Sequence, residues 1–222
     1  MSPIVTARGL TVTHDECTVL EHIDFTASGG EVVAVTGGNG SGKSTLLACL
    51  SGLHKPSAGT VTVLGGPPRD DPKFWRTVVF VAGQPTWYPG VSVREHLELV
   101  RRTHEPVRGW WLPPGELIAA FGLADRADAI PRDLSAGQRQ RLSLAVALAR
   151  PSRLLLLDEP EQSLDVGFRQ ILSGWLLREY AAQGGAVVMA THDLALAATA
   201  EARRVQLVNG RVAVPRTVRV AR

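Results

Sequence analysis

Residues 37–44 read GGNGSGKS, a glycine-rich segment that fits the pattern G-x-x-x-x-G-K-[ST]. Glycines let the backbone fold into a turn whose N–H groups point inward at an anion, and a helix that follows adds the positive end of its dipole. In this arrangement Lys43 can neutralise phosphate charge, and Ser44 can give its hydroxyl to Mg²⁺. The segment therefore predicts a site for nucleotide phosphates, although by itself it does not separate kinases, GTPases and ATPases.

The context of this segment favours that prediction over a chance glycine turn. An apolar strand pattern over residues 31–36 precedes it, and a helical pattern over residues 43–53 follows it, as the motif requires. The only lysines of the chain are Lys43, Lys55 and Lys73, and one of them occupies the required position. The residues expected to hold the nucleotide here are Gly37, Gly38, Asn39, Gly40, Ser41, Gly42, Lys43, Ser44 and Thr45.

A second group of residues that could do chemistry follows an aliphatic run. Residues 154–159 read LLLLDE, so Asp158 and Glu159 emerge at the carboxyl end of a strand that is expected to be buried on both faces. Asp158 suits Mg²⁺, which keeps most of its water shell, and Glu159 could orient or deprotonate the water that attacks a γ-phosphate. A solvated acidic turn is the alternative, and the phosphate-binding segment makes it the weaker one.

The elements that must position these residues alternate between short apolar runs and helical patterns, which indicates an α/β domain. Residues 92–150 are mostly helical by pattern and begin at a capping box formed by Ser92 and Glu95. A hairpin is expected over residues 205–214, around Asn209 and Gly210. The other expected strands are a β-pair over residues 4–13 and 18–27 and single strands over residues 31–36, 60–64, 77–82, 154–157 and 186–190.

Composition limits the class of protein. The 222 residues are 45% hydrophobic and 20% charged, which is typical of a globular protein and excludes disorder as the main state. No run approaches the roughly 18 apolar residues of a membrane span, and residues 1–10 carry no secretory signal pattern, so we expect a cytoplasmic protein. The net charge of +3 is spread along the chain, so no nucleic-acid partner is expected. Cys17 and Cys49 lack metal-binding spacing and are expected to be reduced.

Further segments fall into an order that resembles the nucleotide-binding domain of ATP-binding cassette (ABC) ATPases, over essentially the whole chain. Residues 134–138 read LSAGQ, close to the family signature LSGGQ with Ala136 in place of one glycine, and this is the most specific motif present. The resemblance implies that Ser135, Gly137 and Gln138 complete the ATP site of a partner subunit, where the amino end of a helix attracts the γ-phosphate.

Three shorter segments resemble the family in their order and spacing. Gln84, after TVVFVA, matches the glutamine that in the family senses Mg²⁺ and the attacking water. His192, after AVVMA, matches the switch histidine that contacts the γ-phosphate, and Asp165 ends the segment SLD, which resembles the D-loop that touches the partner's active site. The resemblance thus implies catalytic roles for Glu159, His192 and Gln84, and Mg²⁺ contacts for Ser44, Gln84 and Asp158.

The chain departs from the family pattern at three positions. His14 aligns with the aromatic residue that stacks on adenine, so it is either the adenine contact or an ordinary loop histidine. Glu161 stands where many relatives have threonine or another uncharged residue, and it either retunes hydrolysis or, as we expect, faces solvent. Ala136 adds one methyl group where the signature backbone approaches phosphate, and we expect it to be tolerated.

The resemblance implies a P-loop NTPase fold of the RecA-like type, with a mostly parallel sheet core, N-terminal antiparallel β-strands and an inserted helical subdomain. Residues 1–222 would form a single nucleotide-binding domain. Its catalytic core would comprise residues 1–91 and 151–222, and its helical signature subdomain would comprise residues 92–150. A homodimer or heterodimer of cassettes would sandwich two ATP molecules with Mg²⁺.

A separate membrane permease is the partner that the resemblance implies, and it would hold the protein at the cytoplasmic face of the cell membrane. Trp87 with Tyr88, and Trp110 with Trp111, either contact such a partner or pack inside the helical subdomain. A soluble ABC ATPase in assembly work, such as iron–sulfur cluster maturation, is the alternative. A DNA- or ribosome-directed ABC ATPase is disfavoured, because the helical middle is too short for a long coiled coil.

Overall fold

Two β-sheets and the helices around them make up this computed structural model, which describes residues 3–15, 17–83, 86–104 and 113–213. The strands are β1 (Pro3–His14), β2 (Cys17–Ser28), β3 (Val32–Thr36), β4 (Ala58–Val63), β5 (Val78–Val81), β6 (Leu154–Asp158), β7 (Ala186–Ala190), β8 (Arg203–Val208) and β9 (Arg211–Val212). The helices are α1 (Lys43–Ser51), α2 (Pro72–Thr77), α3 (Val93–Thr103), α4 (Pro114–Ala120), α5 (Ala136–Leu148), α6 (Val166–Gly174) and α7 (Leu194–Thr199). Short 3-10 turns occupy Ala124–Arg126 and Pro131–Asp133, and α6 continues through a π-helical segment, Trp175–Tyr180, into a 3-10 turn, Ala181–Gln183.

The larger sheet has the strand order β5-β6-β7-β3-β8-β9, and its first five strands pair in parallel. β9 pairs antiparallel with β8 through a two-residue turn, in which Asn209 and Gly210 have φ values of 48° and 73°. The smaller sheet, β2-β1-β4, is antiparallel throughout. The parallel core, the N-terminal antiparallel strands and the hairpin at Asn209 are therefore confirmed.

The larger sheet is covered on both faces, which explains why its central strands are unbroken aliphatic runs. On one face, Leu154 and Leu156 of β6 pack in a core that the smaller sheet and α1 share. On the other face, Leu155 and Leu157 pack in a core with residues of α3, α4, α5 and α6. Since β6, β7 and β3 lie side by side in parallel, the residues that follow these strands meet at one edge of the sheet.

The described elements between β5 and β6 are helical, in keeping with the predicted pattern. The Ser92–Glu95 capping box at the start of α3 is confirmed: the Glu95 N–H donates to Ser92 Oγ at 3.3 Å, and the Ser92 N–H donates to Glu95 Oε2 at 2.8 Å. The division of the chain into a core of residues 1–91 and 151–222 and a helical subdomain of residues 92–150 stays a prediction.

The sequence pattern predicts neither α2 nor the helices α6 and α7. For α2 a local signal exists, because Asp71 caps the helix by accepting a hydrogen bond from the Phe74 N–H at 2.8 Å and Pro72 is its first residue. Cys17 is exposed and Cys49 is buried, and neither forms a disulfide within the described residues. None of the described helices is long and apolar enough to cross a membrane.

Candidate functional site

The phosphate-binding segment connects the end of β3 to the start of α1 along a tight backbone path. Gly42 precedes α1 with a φ of 98°, a left-handed conformation that residues with a side chain rarely adopt. A Cβ atom at this position would lie 2.5 Å from Leu20 Cδ2 and 3.1 Å from the carbonyl oxygen of Val19 in β2. Both the backbone conformation and the lack of space for a Cβ atom therefore require glycine at position 42. From this residue the loop turns sharply into the amino end of α1, which attracts anions.

Lys43 is 5% exposed, and its side chain folds back over this loop. Its Nζ donates hydrogen bonds to the carbonyl oxygens of Gly37 and Gly38, both at 3.0 Å. The ammonium group is thus held at the loop itself, where it can neutralise phosphate charge. The other residues predicted for the phosphates lie in the same turn or in the first turn of α1, namely Asn39, Gly40, Ser41, Ser44 and Thr45.

A carboxylate and a hydroxyl meet beside the loop, at the end of β6. The Ser44 side chain hydrogen-bonds to Asp158. Burial raises the pKa of Asp158 and the charge of Glu159 raises it further, while the Ser44 hydrogen bond and the charge of Lys43 act in the opposite direction. Asp158 Oδ1 is buried and has no hydrogen-bond partner among the described residues.

These two groups fit a magnesium ion. A buried carboxylate oxygen without a partner beside a hydroxyl group is an oxygen donor set of the kind that Mg²⁺ prefers. Within the described ranges, no group of three or more His, Cys, Asp or Glu side chains could hold a metal ion. Mg²⁺ is usually held by one or two carboxylates together with substrate phosphates and water.

Glu159 and His192 come together at the same edge of the sheet. Glu159 follows β6 with a φ of 49°, and its N–H donates to the carbonyl oxygen of Ala190, the last residue of β7, at 2.9 Å. His192 follows β7 two residues later, and its Nδ1 lies 3.9 Å from Glu159 Oε1. The His192 side chain is 63% exposed, so it can reach a bound ligand. The structure thus brings together Glu159 and His192, two of the three predicted catalytic residues, where β6 and β7 end.

The prediction that Glu161 faces solvent is wrong, because this side chain is only 2% exposed. Its Oε1 accepts hydrogen bonds from Thr191 Oγ1 at 2.5 Å and from the His192 N–H at 3.3 Å. A charged side chain can be buried where such donors meet it, and a sequence pattern does not reveal donors from a distant strand. Thr191, whose hydroxyl is one of these donors, is a residue that sequence reasoning misses altogether.

The signature segment forms the start of α5. Ser135 caps this helix: the Gln138 N–H donates to Ser135 Oγ at 3.2 Å, and the Ser135 N–H donates to Gln138 Oε1 at 2.9 Å. Gly137 lies against the D-loop, because a Cβ atom there would come within 2.7 Å of the carbonyl oxygen of Ser163. Two segments that sequence reasoning treats separately are therefore in contact within one chain.

Asp165 completes this second group of site residues. It caps α6 by accepting a hydrogen bond from the Phe168 N–H at 2.8 Å, and it forms an ion pair with Arg141 of α5. The Phe168 hydrogen bond and the charge of Arg141 hold the pKa of Asp165 below its ordinary value. Among the described residues, no hydrogen bond or ion pair joins the group of Ser135, Gly137, Gln138 and Asp165 to residues 37–45.

The remaining predicted contacts have different outcomes. His14 is exposed at the end of β1, with its ring centroid 4.9 Å from that of His54, and its role toward adenine stays a prediction. Trp87 packs edge-on against the buried His96, whereas Tyr88 is 63% exposed, so the two residues do not act as one exposed pair. Gln84, Trp110 and Trp111 lie outside the described residues.

Comparison with known proteins agrees with this geometry. A sequence model of a family described as "ABC transporter" matches residues 20–162. The chain is 42% identical over 209 residues to an ABC transporter ATP-binding protein of Streptomyces coelicolor, covering 92% of this chain and 36% of that protein. It is 35% identical over 176 residues to the SkfA peptide export ATP-binding protein SkfE of Bacillus subtilis, covering 79% of this chain and 73% of that protein. It is also 36% identical to the aliphatic sulfonates import ATP-binding protein SsuB of Pseudomonas putida, covering 97% of this chain and 77% of that protein.

Solved structures agree with the sequence relatives. The ATP-binding subunit of an ABC transporter superposes with a TM-score of 0.82 at 28% identity, covering 95% of this chain and 88% of that one. A dimeric ATP-binding cassette in a post-hydrolysis state, bound to ADP and Pi, superposes with a TM-score of 0.78 at 27% identity, covering 95% of this chain and 97% of that one. The chain therefore belongs to the ABC transporter family, and its fold is that of an ATP-binding cassette.

Proposed function

We propose that this chain binds ATP with Mg²⁺ and hydrolyses it to ADP and phosphate. The observation that carries the proposal is the meeting of Lys43, Ser44, Asp158, Glu159 and His192 where β3, β6 and β7 end. Cations, oxygen ligands and a carboxylate base at one point are the groups that transfer of a phosphoryl group to water needs.

Each residue has a distinct part in this reaction. The loop amides and Lys43 bind the β- and γ-phosphates, and Glu159 orients the attacking water and accepts its proton. His192 contacts the γ-phosphate from the end of β7. Ser44 and Asp158, with Gln84, would hold Mg²⁺, which neutralises charge on the phosphate oxygens when it is bound.

The second group of residues acts on the ATP of a partner cassette. Ser135, Gly137 and Gln138 lie at the amino end of α5, a helix of 13 residues whose end attracts anions, and Asp165 lies beside them. In a head-to-tail dimer, Ser135 of one subunit would face the γ-phosphate on the loop of the other. The dimeric cassette among the structural neighbours supports this arrangement. ATP would close the dimer, and loss of the γ-phosphate would reopen it.

The work coupled to this cycle is transport through a separate membrane permease, which would place the protein at the cytoplasmic face of the membrane. The names of the relatives, one in peptide export and one in sulfonate import, support a transporter context without a direction of transport. The exposed Tyr88 is a candidate contact for the permease. Because these two relatives are named for export and import, they favour a transporter over the soluble alternative.

The experiment is the substitution Glu159→Gln, which removes the base and keeps the shape of the side chain. We expect ATP binding and ATP-dependent dimerisation to persist while turnover falls at least ~100-fold. Phosphate release measures turnover, and light scattering after size-exclusion chromatography measures the dimer. Glu179→Gln, at an exposed position of the π-helical segment, is the matched control and should hydrolyse ATP normally. Unimpaired turnover in Glu159→Gln would remove Glu159 from its proposed role.

A further inference from the structure

Glu161 connects the loop after β6 to the loop after β7. Its Oε1 accepts from Thr191 Oγ1 at 2.5 Å and from the His192 N–H at 3.3 Å, and it lies 3.5 Å from His192 Nδ1. Besides these contacts, the main-chain bond from the Glu159 N–H to the Ala190 carbonyl oxygen joins the two loops. One carboxylate oxygen of Glu161 therefore lies close to the Thr191 hydroxyl, the main-chain N–H of His192 and the His192 ring.

The polar contacts continue on the far side of His192. Thr191 Oγ1 accepts a hydrogen bond from the Asp193 N–H at 2.9 Å. Asp193 in turn caps α7 by accepting from the N–H groups of Ala195 and Leu196, both at 2.9 Å, and pairs with Arg169 of α6 at 2.8 Å. His192 itself is largely exposed. The position of His192 is thus set by buried or partly buried neighbours on both sides. Among these neighbours, Glu161 belongs to the loop after β6, which also carries Glu159.

A carboxylate is a costly way to fill this buried position. Glu161 Oε2 is buried without a hydrogen-bond partner among the described residues, and an apolar side chain of similar volume would avoid the desolvation of a charge. An apolar side chain would, however, leave the Thr191 hydroxyl and the His192 N–H without their acceptor. At this position the carboxylate provides an acceptor for two donors, the Thr191 hydroxyl and the His192 N–H.

We propose that Glu161 is a positioning residue, which fixes the loop of Thr191 and His192 so that the imidazole stays beside Glu159 at the γ-phosphate. The inference rests on the proposed ATPase function and adds a residue to it. Glu161 does not touch the reacting atoms, and it acts through the main chain of His192. Its effect is expected on the rate of hydrolysis rather than on nucleotide binding, because Lys43 and the loop that bind the phosphates have no described hydrogen bond to Glu161.

Two variants separate the acceptor from the charge. Glu161→Met keeps the length of the side chain and removes the acceptor, whereas Glu161→Gln keeps an acceptor oxygen and removes the charge. We expect kcat to fall about 10- to 100-fold in Glu161→Met, because small displacements of a catalytic group have effects of this size. The KM for ATP should stay within roughly twofold in both variants, and Glu161→Gln should keep kcat within roughly threefold of the wild type. Wild-type kcat in Glu161→Met, or an equal loss in Glu161→Gln, overturns the proposal.

A second measurement does not depend on hydrolysis. Amide hydrogen exchange followed by NMR reports on the His192 N–H, which should exchange roughly tenfold faster in Glu161→Met than in the wild type or in Glu161→Gln. Unchanged exchange in Glu161→Met contradicts the proposal even if the wild type proves to have no ATPase activity. Failure of the proposed function and failure of this inference are therefore distinguishable.

Thr191→Val covers the case in which Glu161→Met does not fold. It removes the hydroxyl donor from the same contact and keeps the branched shape of the side chain. We expect a lower kcat with little change in KM in Thr191→Val alone, and a wild-type kcat in that variant would overturn the proposal. Where Glu161→Met folds, we expect no additional loss when the two substitutions are combined. Additive losses in kcat would mean that the two side chains act independently, and they would overturn the proposal.

Discussion

The carboxyl group of Asp158 lies half-buried at the end of β6, and its pKa is raised, first by burial and then by the charge of Glu159. A raised pKa means that folding disfavours the ionised form. The protonated carboxyl group of Asp158 therefore contributes to the stability of the fold. This contribution is fully present below the pKa of the group in the unfolded chain, and it is lost as the pH rises through the pKa in the folded protein. Ionisation of Asp158 is therefore less favourable in the folded protein than in the unfolded chain, and a bound cation would offset this cost.

Substitution Asp158→Asn is expected to stabilise the nucleotide-free protein and to damage the site. Because it removes the buried charge, we expect the Tm to rise by about 2–4 °C, roughly 1 kcal/mol after allowance for solvent screening of a half-buried group. The affinity for ATP in the presence of Mg²⁺ should fall roughly tenfold or more, since an oxygen ligand loses its charge. Differential scanning calorimetry and isothermal titration calorimetry measure the two effects.

The control for this substitution is Asp125→Asn, at an exposed position of the 3-10 turn Ala124–Arg126. It should change neither the Tm nor the affinity. A Tm for Asp158→Asn below that of the wild type would contradict the assignment of Asp158 as a destabilising charge.

At the residue scale, the sequence predicts the groups that a local motif encodes. Lys43 and Asp158 follow from short patterns, because a strand and a turn place them within a few residues of their neighbours. Glu161 does not follow, because its environment is made by Thr191 and His192, which are 30 and 31 residues away in the chain. The burial of a side chain by a distant loop depends on the register of β6 and β7, and no local pattern contains that information.

At the scale of elements, α5 approaches the D-loop closely at Gly137. The Cβ of any other residue at Gly137 would lie 2.7 Å from the carbonyl oxygen of Ser163, and a main-chain atom cannot move aside as a flexible side chain can. Two further contacts join these elements: Gln140 Nε2 donates to the Pro160 carbonyl oxygen at 3.0 Å, and Arg141 pairs with Asp165. The start of α5 and residues 160–165 therefore form one packed unit.

Substitution Gly137→Ala is expected to push the start of α5 away from residues 160–165. We expect a loss of about 1–3 kcal/mol in the free energy of unfolding, as for other overpacked sites, and a lower ATPase rate. Urea unfolding measures the first and phosphate release the second. Gly115→Ala is the matched control: it lies in α4 with no atom near its added Cβ, and it should stabilise the protein by about 0.5–1 kcal/mol. Equal effects of the two substitutions on stability would argue against a close contact at Gly137.

The elements themselves are predicted well where hydrophobic periodicity is strong. The strands β3, β6 and β7 and the helix α3 lie where apolar runs and a capping box indicate them. α2 is missed because six residues are too few for a periodic pattern. The helix after Asp165 is missed although Asp165 caps it, since the D-loop motif draws attention to the same residue for another reason.

At the scale of the whole molecule, the predicted site residues fall into two groups within one chain. Lys43, Asp158, Glu159 and His192 gather at the edge of the parallel sheet, while Ser135 and Asp165 gather where α5 meets α6. In the head-to-tail dimer proposed above, the two groups that contact one ATP come from two chains. A single chain then offers two half-sites, and the partner is part of the catalytic unit.

The ATP-bound dimer of the Glu159→Gln variant provides a test for a membrane partner. We expect Glu159→Gln, retained in the ATP-bound dimer, to capture a multi-spanning membrane protein from a detergent extract of the cells that make it. Mass spectrometry identifies the captured protein. When that protein is purified and mixed with Glu159→Gln, the two should again associate in the presence of ATP. Lys43→Met, which should not hold the phosphates, is the control and should capture at least ~10-fold less. Recovery of soluble partners alone would contradict transport.

The resting hydrogen bonds of Lys43 have a consequence for the choice of ligand. Its ammonium has three N–H donors, and two of them bond to the carbonyl oxygens of Gly37 and Gly38, so one donor is left for a phosphate oxygen. A nucleotide with several phosphoryl groups offers enough charged oxygens to replace both carbonyls with stronger bonds, whereas a monophosphate offers fewer. The two carbonyl oxygens would therefore compete with a ligand for the other two donors, and we expect this competition to favour nucleotides that carry more phosphates.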